Sequence, residues 1–159
     1  MNARPSILIV EDNRLLRWWL TSSLYRAGFC ALAPETVGDA LSCAHSCQFD
    51  LLITDWRLPE GHDGFEVLNA VRGTCPRVLS MLISAELDEE LTQKAQRAGF
   101  DVTFQKPFRL EDIVAAAQKL TESARTSLGE GGPNASLERP DSVGMQALHQ
   151  PVPGQEVLS

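Results

Sequence analysis

Four short apolar runs, each leading straight into a polar or charged residue, constrain the fold of this chain more than any other feature. Ser6 to Val10 (SILIV) runs into Glu11 and Asp12, and Asp50 to Thr54 (DLLIT) runs into Asp55. Arg77 to Ile83 (RVLSMLI) runs into Ser84, and the weaker Val102 to Gln105 into Lys106. A short, nearly uninterrupted apolar run is what a strand covered on both faces requires, as parallel strands in α/β proteins are. Phe29 to Ala33 (FCALA) supplies a fifth candidate strand.

Helical patterns fill the gaps. Leu16, Leu20 and Leu24 repeat every four residues after the capping pair Asp12-Asn13, and Gly28 provides the stop. Thr36 with Asp39, and Asp63 with Glu66, fit capping-box spacing and open the second and third helices. Glu86, Asp88, Glu89 and Glu90 crowd the start of a fourth helix ending near Gly99, and Glu111 with Asp112 open a fifth, acids at the positive end of each helix dipole. Five strand-helix units with short loops imply right-handed crossovers, hence an α/β, doubly wound (βα)5 fold with a parallel five-stranded sheet and helices on both faces.

The chain of 159 residues suits one domain with appendages. After about Ala124 the periodicity stops and Gly, Pro, Ser and isolated charges dominate, so residues 1–124 read as the domain and 125–159 as a disordered tail. No apolar run approaches the roughly eighteen residues of a membrane span. The short run after Arg4 ends in acids with no small-residue cleavage site, which argues against a secretory signal and for the cytoplasm. A net charge of -7 argues against direct binding of nucleic acid or anionic lipid, which need clustered Lys and Arg. Cys43 and Cys47, four residues apart around His45, make only a faint metal pattern, and Cys30 and Cys75 join no CxxC motif, so all four read as small, buried, reduced thiols.

In an open parallel sheet the site forms outside the carboxyl ends of the strands, where this chain carries Glu11, Asp12, Asp55, Ser84 and Lys106. Three carboxylates gathered in a partly dehydrated cleft repel unless a cation joins them, and Mg²⁺ fits an oxygen-rich set that leaves a position for a phosphoryl oxygen. A carboxylate can then attack phosphorus, with Lys106 neutralising charge and Ser84 bonding a phosphoryl oxygen.

At these residues, within VEDN, ITDWRLP, LISAE and QKPF, the chain resembles the receiver domains of bacterial two-component response regulators, of the stand-alone chemotaxis-regulator-like type. The resemblance covers roughly residues 5 to 122. It implies a flavodoxin-like fold with strand order 2-1-3-4-5 and Asp55 as phosphoacceptor. It also implies Glu11, Asp12, Asp55 and the Arg57 backbone carbonyl as the Mg²⁺ site, Ser84 and Lys106 as readers of the phosphoryl group, and a cis Lys106-Pro107 bond. Implied partners are a histidine kinase or histidine phosphotransfer protein, a downstream protein target, and a second copy if phosphorylation drives dimerisation.

Four features depart from the pattern or stand outside it. Receivers commonly carry Tyr or Phe three residues before the lysine, where this chain has Thr103; Phe104 next door points to the opposite face and reads as core. The loop EGHDG after Pro59 is one residue longer than its common form, and His62 within it reads as a solvent-exposed loop residue. The resemblance implies that Arg57 and Glu86 occupy positions bordering the path of hydrolytic water, so a pair between them would slow loss of the phosphoryl group. Adjacent Trp18 and Trp19 cannot both face the core, and the exposed one is a candidate anchor for a partner.

The leading reading is a phosphoacceptor, not an enzyme in its own right. A phosphorylation-independent scaffold is the alternative, motivated by Thr103. A phosphohydrolase ranks last, because such enzymes typically need a second acid two residues after the nucleophile, where Arg57 stands.

Overall fold

The computed structural model describes residues 3–130, with the side chain of residue 130 left aside. Five strands, β1 (Ser6–Val10), β2 (Cys30–Leu32), β3 (Leu51–Asp55), β4 (Leu79–Ser84) and β5 (Val102–Gln105), form one sheet in the order β2-β1-β3-β4-β5. Every pairing is parallel. Helices α1 (Arg14–Arg26), α2 (Val37–Ser46), α3 (Gly64–Thr74), α4 (Glu89–Ala98) and α5 (Leu110–Glu130) alternate with the strands. The doubly wound order 2-1-3-4-5 is thus the fold that the apolar runs and the resemblance anticipate.

Period-two alternation sends the strand residues into two cores. Leu8, Val10, Leu52 and Leu82 meet α2, α3 and α4 through residues such as Ala40, Leu68 and Leu91. Ile7, Ile9, Ile53, Met81, Ile83 and Phe104 face the other way onto α1 and α5, where Leu16, Leu20, Leu24 and Ile113 lie. Each such side chain contributes about 1.5–3 kcal/mol by leaving water. The central strands β1 and β3 are buried nearly end to end, whereas the edge strand β2 is largely exposed.

The caps fall where the sequence puts them. Asn13 Oδ1 accepts from the Leu16 N–H, Thr36 Oγ1 from Asp39 N–H and Asp63 Oδ1 from Glu66 N–H. Asp88 caps α4 by accepting from Leu91 N–H, and Gly99 ends it in the left-handed region at φ 89. α5 continues to Glu130, past Ala124 where the apolar repeat stops. The remainder of the tail reading, residues 131–159, lies outside the described residues.

The longer loop after Pro59 forms a single 3-10 turn over Pro59–Gly61, with Glu60 and Gly61 both at positive φ. His62 is not the exposed residue expected: it is half-buried, with Nδ1 2.7 Å from Glu66 Oε2 one turn into α3. Trp18 is 61% exposed while Trp19 is partly buried, their rings edge-on at 5.7 Å. No described helix is long and apolar enough to cross a membrane.

Candidate functional site

The carboxyl ends of β1, β3, β4 and β5 meet at one edge of the sheet, and the sequence candidates meet with them. Carboxylate oxygens of Glu11, Asp12 and Asp55 lie within 4.8 Å of one another, the one such group of potential metal ligands among the described residues. Cys43, Cys47 and His45 form no comparable group there, and of the four thiols expected to be buried only Cys75 is: Cys30 and Cys47 are exposed and Cys43 is partly buried. Glu11 and Asp55 are buried and Asp12 is exposed, so the cluster opens to solvent on the Asp12 side.

Lys106 closes the cluster from β5. Its Nζ stands 2.9 Å from Asp55 Oδ2 and 2.9 Å from Glu11 Oε2. The Lys106-Pro107 peptide is cis, and the Lys106 N–H donates to the Ser84 carbonyl at 2.8 Å, holding the ends of β4 and β5 level. The Glu11 backbone is pinned in turn, because Arg17 Nη1 donates to its carbonyl at 2.9 Å and its Oε1 accepts from Asn13 N–H.

Burial dominates the electrostatics. It pushes the Glu11 carboxyl up to about 7; the Lys106 bond opposes the rise and the charge of Asp55 adds to it. Burial also raises Asp55, against the bond and charge of Lys106. For Lys106 burial pulls down, but the bonds and charges of Glu11 and Asp55 outweigh it and hold the ammonium above its ordinary range. The site therefore has more negative charge to accommodate than one ammonium satisfies, and it is built of hard oxygen donors, the chemistry of a divalent-cation site.

Ser84 sits at the end of β4 but does not address the carboxylates. Its hydroxyl donates to the Glu86 carbonyl at 2.8 Å and accepts from the Glu86 N–H at 3.1 Å. Arg57 bridges backbone-to-backbone with Asp63 through the carbonyls of Trp56 and His62, which leaves its own carbonyl outside that ladder. Its side chain pairs with Glu86 at 3.0 Å.

The model of the response regulator receiver domain family matches residues 7–118. This chain belongs to that family. CheY, the chemotaxis protein of Pseudomonas aeruginosa, is 32% identical over 119 residues that cover 73% of this receiver and 95% of CheY. The DNA-binding transcriptional regulator NtrC of Proteus hauseri is 26% identical over 116 residues; the receiver spans 24% of that protein. A CheY-like receiver domain protein from Methanospirillum hungatei superposes at a TM-score of 0.72 with 21% identity, covering 78% of this chain and 98% of that one. Receiver domains bind Mg²⁺ at an acidic site, and this receiver has an acidic cluster of Glu11, Asp12 and Asp55.

Sequence reasoning missed two residues of the receiver site. Gly64 opens α3 against Asp55: a Cβ there would meet the Asp55 carbonyl at 2.6 Å and Leu82 Cδ1 at 2.9 Å. The clue was a glycine at the first helical position, where nothing in helix propensity favours one. The second is Arg17, whose reach back to Glu11 leaves no sequence signal beyond its place in the first turns of α1.

Proposed function

We propose that this receiver is a phosphoacceptor that takes a phosphoryl group onto Asp55 from a histidine kinase or histidine phosphotransfer protein in the cytoplasm and passes the change to a downstream protein. The observation that carries this reading is the Lys106 ammonium 2.9 Å from Asp55 Oδ2, beside a carboxylate cluster that a cation would complete. Residues 1–124 form the phosphoaccepting unit. The coordinating groups for Mg²⁺ are Glu11, Asp12, Asp55 and the Arg57 carbonyl, and the ion, when bound, neutralises charge on the phosphoryl oxygens.

The chain's own residues do the rest. A carboxylate oxygen of Asp55 attacks phosphorus; the phosphorus–nitrogen bond of the donor phosphohistidine breaks, and the departing imidazole nitrogen keeps the electron pair or takes up a proton. Lys106 turns from the Asp55 carboxylate to a phosphoryl oxygen, exchanging one charge-assisted bond for another. Ser84 leaves the Glu86 backbone and donates to a second phosphoryl oxygen. The buried, desolvated setting strengthens each of these contacts.

Intact-mass spectrometry after incubation with acetyl phosphate tests this directly. The reading expects one phosphoryl adduct that requires Mg²⁺ and is absent from Asp55→Asn; an adduct-free native chain contradicts it. That second outcome favours the scaffold reading, whose motive is Thr103 in place of the usual aromatic residue.

A further inference from the structure

The residues directly after Asp55 hold α4 in a way that neither the family pattern nor the sequence reading supplies. Trp56 lies edge-on to Phe65 of α3, with ring centroids 4.8 Å apart, and Phe65 lies edge-on to Phe100, at 5.5 Å, just past the end of α4. Lys94 of α4 caps the pair: its Nζ is 5.0 Å from the Trp56 centroid and 5.1 Å from that of Phe65. An ammonium over two aromatic faces is an attractive contact, and its strength depends on where the rings sit.

The contact matters because α4 has few others. It buries only Leu91 and Ala95. Meanwhile Thr103, fully buried on the sheet face toward α4, offers a hydroxyl with no hydrogen-bond partner rather than a ring that could swing. Trp56 is well placed to replace that ring. Its N–H donates to the Ile83 carbonyl at 2.7 Å and its carbonyl accepts from Gly64 N–H, so its backbone spans the ends of β4 and the start of α3. Next to it, Arg57 grips Glu86, whose backbone in turn holds the Ser84 hydroxyl.

We infer that Lys94, seated on Trp56 and Phe65, is the positioning contact through which α4 senses the state of Asp55 in this chain. The inference rests on the phosphoacceptor reading. When Ser84 leaves Glu86 for a phosphoryl oxygen, the loop before α4 shifts and takes Arg57 with it. Trp56 then turns beneath Lys94, and the grip on α4 changes with no aromatic residue at position 103.

Hydrogen-deuterium exchange of peptides covering Glu89–Ala98 tests this on the full chain, with and without acetyl phosphate and Mg²⁺, the adduct fraction being read separately by intact mass. Three proteins are compared: native, Lys94→Met, which keeps length but not charge, and Lys94→Arg, which retains a cation able to stack. The native chain should change α4 exchange several-fold on phosphorylation. Lys94→Met should reach the same adduct fraction yet lose most of that change, and Lys94→Arg should restore it. An unaltered α4 response in Lys94→Met, failure of Lys94→Arg to restore it, or no α4 response in a fully phosphorylated native chain overturns the inference. Absence of any adduct removes the phosphoacceptor reading instead, and the inference with it.

Discussion

Lys106 Nζ stands 2.9 Å from Asp55 Oδ2 while touching Glu11 at the same distance, so one ammonium serves two buried carboxylates. Removing it leaves both without their cation, and a buried unpaired charge is strongly unfavourable. Lys106→Met should therefore cut the rate of labelling by acetyl phosphate at least about tenfold, a loss of about 1.4 kcal/mol of transition-state stabilisation. Time-resolved intact mass at saturating Mg²⁺ measures this.

The Glu11 carboxyl, raised by burial to about 7, gives the metal-free protein a defined pH response. A carboxyl whose folded pKa lies above its unfolded value of 4.5 contributes stability that is fully present below pH 4.5 and is lost as pH rises through about 7. The shift corresponds to about 3 kcal/mol. Thermal melts in EDTA should fall between pH 5 and 8, and Glu11→Gln should flatten that slope. Mg²⁺ binding should release a proton below pH 7 and strengthen as pH rises, which calorimetry in buffers of different ionisation enthalpy reads.

Gly64→Ala should destabilise the fold by about 1–3 kcal/mol, because the added methyl must displace the Asp55 carbonyl, Leu82 or the start of α3. Urea denaturation gives the value. The same variant should slow labelling, since the atom in the way belongs to the acceptor itself.

Arg57 and Glu86 are paired at 3.0 Å with both side chains 75% exposed. Such a pair adds little to stability, so Arg57→Ala and Glu86→Ala should melt with the native chain. Their phosphoryl lifetimes should shorten roughly two- to fivefold if the pair screens the path of water. Adduct decay after removal of acetyl phosphate checks both.

Thr103→Val replaces a buried hydroxyl that lacks a partner with a methyl of similar shape. Stability should rise by about 1 kcal/mol in denaturant titrations while Asp55 labelling stays unchanged.

Much of this was legible in the sequence, for physical reasons that differ from residue to residue. Strand ends were readable because SILIV, DLLIT and RVLSMLI must be buried on both faces and stop where a polar or charged residue begins, which set Glu11, Asp55 and Ser84 at one edge. Helix starts at Arg14, Val37 and Gly64 were readable because Asn13, Thr36 and Asp63 have local capping chemistry. Phe104 fell into the core and Thr103 on the other face, as strand alternation requires. Tertiary geometry was not readable: the partners of Ser84, the reach of Arg17 and the seat of Lys94 on Trp56 depend on distances between elements. His62 was misread because its pairing with Glu66 needs the helix register that begins two residues later, at Gly64.

The central claim is that Asp55 is the residue that accepts phosphorus. Borohydride reduction of the acetyl-phosphate-treated, Mg²⁺-loaded chain, followed by peptide sequencing in the mass spectrometer, locates the acyl phosphate by the reduced side chain it leaves. The account predicts reduction at Asp55 alone. Reduction at Glu11, Asp12 or any other residue, or none at all, would contradict it.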